Sequence, residues 1–324
     1  MILQLYENGT LFRKDNTFCF KNKDDKVTYY PVRTIKTIYV FADVDFNASA
    51  INLIHKLSIN VIFLNTSHKK IYGLYNGYAS QGIYLINQVN AYQNEKRTII
   101  AKSIVSATSH NMIRVLKYHL KTIPELKESI EQILHYKRFL SSLHNVDKIM
   151  QTEAMIWKNY YSCFELILGI PFTRYQRGAS DLVNCLINFL NGILYAECLD
   201  QIILSGLHPA ISFLHSSNDR TLSLQYDISE AFKPLLVERT LFSLFHNKII
   251  SDNEKPTKDD KTYLLSNAVK KKAAIEFNKH LLTSIKIGNK YYSYRNLIYA
   301  DCIRLRNYIN GETSDMSLFK QTNR

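Results

Sequence analysis

The chain has 324 residues, enough for two domains or for one large domain with an appendage, and its 46% hydrophobic and 21% charged residues are ordinary for a water-soluble globular protein. Lys and Arg number 41 against 28 Asp and Glu, a formal charge of +13, which favours a polyanionic partner because each cation laid on a phosphate releases condensed counterions. Five cysteines form no CxxC pair, cannot all pair within the chain, and read as small hydrophobes of a reduced, cytoplasmic protein.

Residues 1–75 read as a small β-rich domain. Leu3 and Leu5 alternate with Gln4 and Tyr6, and Asn8-Gly9 supplies a two-residue hairpin signal before Thr10-Leu11-Phe12. Asp15-Asn16 and Lys23-Asp24-Asp25 mark two more turns, and residues 35–41 form another β-branched run. A short helix is expected over 48–57, with Ile51, Ile54 and His55 on one side, then a buried strand over 60–64. Gly77, Ala79, Ser80 and Gly82 mark a flexible connection over 76–85. Beyond it the apolar period becomes helical, and 86–310 reads as a larger all-α domain. Ile99, Ile100, Ile104, Val105, Ile113 and Leu116 fall at helix spacing; further helices are expected over 126–143, 147–164, 181–204, 227–245, 264–282 and 294–308. The 181–204 helix is apolar on most faces and belongs in a core; Asn184, Asn188 and Asn191 make its greasiest part too short and too polar for a membrane span. A polar loop over 251–261, a β-like piece over 284–292 and a loose polar tail over 311–324 complete an α+β chain.

Several familiar machines are missing: there is no GxxxxGK[ST], no GxGxxG after a strand, no HExxH and no GxSxG. What remains is spread over three segments. Glu153 lies in Gln151-Thr152-Glu153-Ala154-Met155-Ile156-Trp157, where small Ala154 and the single Trp suggest tight helix packing around an unexpected carboxylate. His215 ends an apolar approach, Gly206-Leu207-His208-Pro209-Ala210-Ile211-Ser212-Phe213-Leu214-His215. Asp227-Ile228-Ser229-Glu230 opens a helix on which residues three apart share a face. Each has a duller explanation. Asp227 with Glu230 is also the pattern of a helix cap and its capping box, a lone His beside apolar residues is commonly a satisfied core side chain, and a single helical Glu is commonly solvated surface.

Together, the segments resemble one family. Glu153-Ala154 with Tyr160, Arg174-x-x-Arg177 leading to Asp181-x-x-Asn184, Gly206-Leu207-His208-Pro209 running into Phe213-Leu214-His215, and Leu224-x-x-Asp227-x-x-Glu230-x-Phe232-Lys233-Pro234 are similar to the CRISPR-associated endonuclease/integrase "protein one". Ala101-Lys102 with Asn111, and the closing Tyr294-Arg295, extend the resemblance toward both ends. There are departures: Gly178-Ala179-Ser180 replaces a Pro-rich step, Lys233 stands where Arg is usual, and Ser212 where Gly is. The resemblance implies an all-α catalytic domain, metal ligands at Glu153, His215 and Glu230 with Asp227 a close acidic neighbour, and Mn²⁺ or Mg²⁺ as cofactor. It also implies double-stranded DNA (protospacer and repeat) as substrate, a homodimer formed through the β-domain, and a heterohexamer with a small "protein two". Two carboxylates and one imidazole suit a divalent ion acting on a phosphodiester, and the imidazole favours Mn²⁺. Arg174, Arg177 and Lys270-Lys271-Lys272 are the expected phosphate contacts. A DNA-repair nuclease without an integration role, and a non-catalytic basic scaffold, are the competing readings.

Overall fold

The computed structural model describes residues 2–64, 71–75, 82–175, 179–215, 222–251, 254–259 and 262–321. The chain divides into two compact units, Met1–Ala79 and Ser80–Arg324. The first is rich in strands and the second in helices.

In the first unit, β1 (Ile2–Leu5), β5 (Thr37–Val40), β7 (Asn60–Leu64) and β8 (Ile71–Tyr75) form one sheet in the order β1-β5-β7-β8. A second sheet has the order β4-β3-β2-β6, from β4 (Val27–Pro31), β3 (Thr17–Asn22), β2 (Gly9–Lys14) and β6 (Val44–Phe46). The turns at Asp15 and Asp25 take left-handed backbone (φ 54 and 62) and join the antiparallel pairs β2–β3 and β3–β4. Asn8-Gly9 makes no hairpin. β1 pairs in parallel with β5, so the chain passes from one sheet to the other there. The reason is local: Asn8 Oδ1 accepts from the Asp43 N–H at 3.0 Å, and the Gly9 N–H donates to Asp43 O at 3.1 Å. Gly9 also lies so close to β3 that a Cβ would meet Lys21 O at 2.2 Å, an approach open to glycine alone. The helix α1 (Ala48–Lys56) is capped by Asn47, whose side chain accepts from the Ala50 N–H. Its buried stripe is Ala50, Leu53 and Ile54, while Ile51 and His55 face outward. That stripe joins Leu3, Leu11, Phe18, Ile38 and Val61 in one core.

In the second unit, α2 (Gly82–Gln93) starts inside the stretch read as a connection, so 82–85 are helical. There follow α3 (Lys96–His119), α4 (Leu126–Phe139), α5 (Val146–Tyr161) and the short α6 (Phe164–Leu168). Asn145 caps α5 through the Asp147 and Lys148 N–H groups, and α6 ends on left-handed Gly169, so 147–164 is not one helix. Central α7 (Leu182–Leu204), capped by Asp181 at the Asn184 N–H (2.8 Å), is almost wholly buried. Around it pack α8 (Leu224–Glu230), α10 (Asn267–Leu282) and α11 (Tyr294–Ile309). The expected helix 227–245 is also divided. It starts at Leu224, turns at 231–232, and resumes into a π-helical segment, Pro234–Glu238, before α9 (Arg239–His246). Pro234 has no N–H to return to the carbonyl of Glu230, which interrupts the ladder at this point.

The loop 251–261 contains a strand, β9 (Thr257–Asp259), paired antiparallel with β10 (Thr262–Leu264). The strands β11 (Ser284–Ile287) and β12 (Lys290–Ser293) turn at left-handed Gly288. Residues 311–321 are not loose: Met316, Leu318 and Phe319 are buried, and the Phe319 N–H donates to Asp301 at 2.9 Å. Three apolar side chains in an otherwise polar stretch give it a core-facing side.

Candidate metal centre

Three elements of the helical unit meet at one point. α5 supplies Glu153, the segment before α8 supplies His215, and α8 supplies Glu230, and one ligand-capable atom from each lies within 4.8 Å of the others. The local sequence explains how each arrives. The 208–211 segment is clamped by fully buried Gln88 of α2: its amide donates to His208 O at 2.9 Å and Ile211 O at 3.0 Å, and accepts from the His208 N–H. Arg97 Nε donates to Phe213 O, and Ser212 Oγ to His215 O. Every backbone group so engaged removes a reason for the segment to open.

Asp227 completes this segment. It is fully buried, accepts from the N–H groups of Phe213, Leu214 and His215 at 2.6, 3.0 and 3.0 Å, and meets His215 Nδ1 at 2.8 Å. It sits inside α8, one turn past the start, so it does not cap its own helix. The Nδ1–H···Asp227 bond leaves His215 Nε2 toward Glu230, with 3.8 Å between Nε2 and Oε1. A carboxylate that orients an imidazole in this way fixes its tautomer and raises its basicity as a ligand. Burial disfavours the His215 cation, but the Asp227 hydrogen bond and charge, with Glu230 beyond, outweigh it and raise the pKa above the usual value.

Glu230, 2% exposed, is held at both oxygens. Trp157 Nε1 donates to Oε2 at 2.9 Å, and the Lys233 ammonium donates to Oε1. Lys233 itself lies 5.5 Å from the ring centres of both Trp157 and Tyr195, where aromatic faces favour a cation. Glu153 is pushed up to about 7, by burial first and then by the charge of Glu230. A site that crowds two carboxylates with an imidazole fits a divalent ion, which relieves their repulsion and accepts an O,N,O donor set. No such arrangement follows from a capping box or from solvated surface.

The other expected residues do not join this cluster. The Arg174 guanidinium donates to Asn184 Oδ1 (2.7 Å), Asn188 Oδ1 (3.0 Å) and its neighbour's carbonyl, and lies over the Tyr161 ring. Lys270 is half-buried on α10, Lys271 is exposed, and Lys272 pairs with Glu254 at 3.2 Å. Arg177 lies outside the described residues. Ala154 is exposed rather than tightly packed. Sequence reasoning missed the work of Gln88 and the Trp157–Glu230 bond; a buried Gln and a lone Trp beside a carboxylate were the signals available.

The family model "CRISPR associated protein Cas1" matches residues 3–279. The CRISPR-associated endonuclease Cas1 of Fusobacterium nucleatum is 35% identical over 321 residues, covering 95% of this chain and 93% of the relative. The solved Cas1 protein of Thermotoga maritima superposes with a TM-score of 0.83 at 26% identity, covering 100% of both chains. A casposase bound to its integration product shares the fold, with a TM-score of 0.86 at 19% identity over 99% of this chain and 94% of that one. With the matched family model spanning most of its length, the chain belongs to the Cas1 family of CRISPR-associated proteins.

Proposed function

We propose that this chain is a metal-dependent DNA endonuclease and integrase, which joins foreign DNA fragments into a CRISPR array as new spacers. The convergence of Glu153, His215 and Glu230 within 4.8 Å carries the reading, since a DNA scaffold has no use for it. Glu153, His215 and Glu230 would hold Mn²⁺ or Mg²⁺. Bound there, the ion supplies Lewis-acid polarisation of a phosphodiester and stabilises charge developing on the leaving oxygen.

The protein's own part is positional. Asp227 holds His215 in one tautomer, Trp157 and Lys233 hold both oxygens of Glu230, and Glu153 releases its proton as the site assembles. In the reaction a DNA 3′-hydroxyl attacks phosphorus in the repeat; one P–O bond forms, another breaks, and the displaced strand leaves with a hydroxyl. The number of phosphodiesters is unchanged, so no energy-rich cofactor is needed. Cleavage is the same displacement with water as the nucleophile. Exposed Lys271, with Arg177, Lys270 and Lys272, is assigned to DNA phosphates, whereas the Arg174 guanidinium is committed to Asn184 and Asn188. Family membership supports a homodimer through the β-rich unit, and assembly with Cas2, the "protein two" of the family, into a heterohexamer.

Strand joining and cleavage of a model repeat with Mn²⁺ test the proposal. Glu153→Ala, His215→Ala and Glu230→Ala should each lower both rates by at least about 10²–10³-fold, with duplex affinity little changed. Wild-type joining by the His215→Ala protein would falsify the site. Cleavage without any joining would favour the repair nuclease, and absence of both activities the scaffold.

A further inference from the structure

The helix that carries Glu230 is interrupted immediately beyond it, and the interruption is held from outside. The N–H groups of Leu235 and Leu236 both go to Phe232 O, at 3.1 and 2.9 Å, on the far side of Pro234. The carbonyl of Ala231, the residue next to Glu230, accepts from Asn111 Nδ2 at 2.7 Å. A side chain from α3 thus supplies a bond at the point where proline disrupts the backbone ladder.

The same amide grips a second segment. Asn111 Nδ2 also donates to Phe319 O at 3.1 Å, and its Oδ1 accepts from the Gln321 N–H at 2.9 Å. Asn111 is fully buried, so both ends of its amide are committed between the Glu230 turn and the 316–321 segment. Phe319 lies flat on Phe232, with centroids 5.9 Å apart and an interplanar angle of 11°; Phe232 is two residues from Glu230. The segment is fixed along its length: Ser103 Oγ donates to Met316 O and accepts from the Leu318 N–H, and Asp301 accepts from the Phe319 N–H. Gln321 O meets His110 Nε2 at 3.0 Å.

We propose that residues 316–321, acting through Asn111 and Phe232, are a positioning strap that sets the Glu230 turn and with it the metal centre. This rests on the reading of Glu153, His215 and Glu230 as ion ligands. None of the strap residues touches the cluster, so Asn111 and Phe319 are positioning residues rather than ligands. A segment bound mainly by backbone hydrogen bonds and three apolar side chains, and joined to α11 by exposed residues such as Glu312 and Asp315, is a segment that can be removed and supplied again.

The test compares the full chain, a chain ending at Thr313, that chain with a synthetic peptide of residues 314–324, and the full-length Asn111→Asp variant. Asn111→Asp keeps an acceptor for the Gln321 N–H and removes the donors to Ala231 and Phe319. Two properties are read: Mn²⁺ affinity without DNA, by paramagnetic resonance, and amide hydrogen exchange over residues 224–238. Shortening is expected to weaken Mn²⁺ binding roughly ten- to a hundred-fold, the range for supports of metal ligands, and to speed exchange over 224–238. Saturating peptide should restore both, and Asn111→Asp should reproduce the loss. A shortened, folded chain with unchanged exchange and Mn²⁺ affinity overturns the strap. If the shortened chain does not fold, unchanged exchange and affinity in Asn111→Asp overturn it alone. If the full chain binds no Mn²⁺, the metal reading fails, while the exchange comparison still decides the strap.

Discussion

Asp227 holds His215 at two points, accepting from its ring Nδ1–H at 2.8 Å and from its backbone N–H at 3.0 Å. Its other oxygen accepts from the Phe213 and Leu214 N–H groups. The carboxylate therefore ties a non-helical segment to α8 and aims the imidazole in the same act. Asp227→Ala would strand the N–H groups of buried Phe213 and Leu214 and of half-buried His215, each costing about 1–3 kcal/mol. The expected destabilisation is at least about 3 kcal/mol, against the ~1 kcal/mol of a lost helix cap. Urea unfolding of the metal-free protein measures it, and a loss near the smaller figure would show that the 213–215 N–H groups do not depend on Asp227.

Trp157 is the second support. Its indole N–H bonds Glu230 Oε2 at 2.9 Å, and a hydrogen bond to a buried charge contributes about 1.5–3 kcal/mol. Trp157→Phe keeps an aromatic face beside Lys233 and removes that donor. Stability should fall by about 2 kcal/mol, and Mn²⁺ affinity by about ten-fold or more. Calorimetric titration of Mn²⁺ checks this; wild-type affinity in the variant would show that Lys233 alone suffices to place Glu230.

The raised carboxyls set a pH dependence. Glu153 is pushed up from its ordinary 4.5 to about 7 in the fold, by burial and the Glu230 charge. Between those values the folded chain holds a proton that the unfolded chain has released, so metal-free stability falls as pH rises. Buried Glu238, pushed up to about 8 by burial, extends the same trend to higher pH. Ion binding must displace the Glu153 proton. The rise in melting temperature produced by Mn²⁺ should therefore be larger at about pH 8 than at about pH 6, and a shift independent of pH would argue that Glu153 is not a ligand.

The residues of the cluster were legible in the sequence, but their supports were not. Glu153, His215 and Glu230 each had a duller explanation in the sequence and were grouped as ligands only through the family resemblance, and the structure brings all three together. Asp227 misled because a capping box and an i, i+3 pair share one pattern, and the partners that separate them lie 12 to 14 residues upstream. The Asn8-Gly9 hairpin failed for a related reason: turn chemistry was read correctly as punctuation, but pairing is decided by strands remote in sequence, here β1 with β5. The 311–321 segment looked polar throughout, yet Met316, Leu318 and Phe319 are enough to seat it once Asn111 and Asp301 offer bonds to its backbone. Local pattern carries element type; the identity of a distant partner is a tertiary fact.

Charge gives the last prediction. With a formal +13, duplex binding by this chain should be dominated by phosphate contacts, which position the protein without reading bases. Each neutralised phosphate contributes a slope of about −0.9 in log affinity against log salt, so several contacts produce a fall of about 10³-fold or more between low and physiological salt. Lys271 is exposed on α10, whereas the Arg174 guanidinium is bonded to Asn184 and Asn188. Lys271→Ala should thus lower the slope by about one and weaken random and repeat-containing duplexes alike. Arg174→Ala should instead act through stability, because it takes the guanidinium from Asn188 Oδ1 and leaves Asn184 Oδ1 with the Tyr175 N–H alone. Fluorescence anisotropy across a salt series, with melting curves for both variants, separates the two. A salt-independent affinity for random duplex would mean that the surplus charge serves something other than DNA.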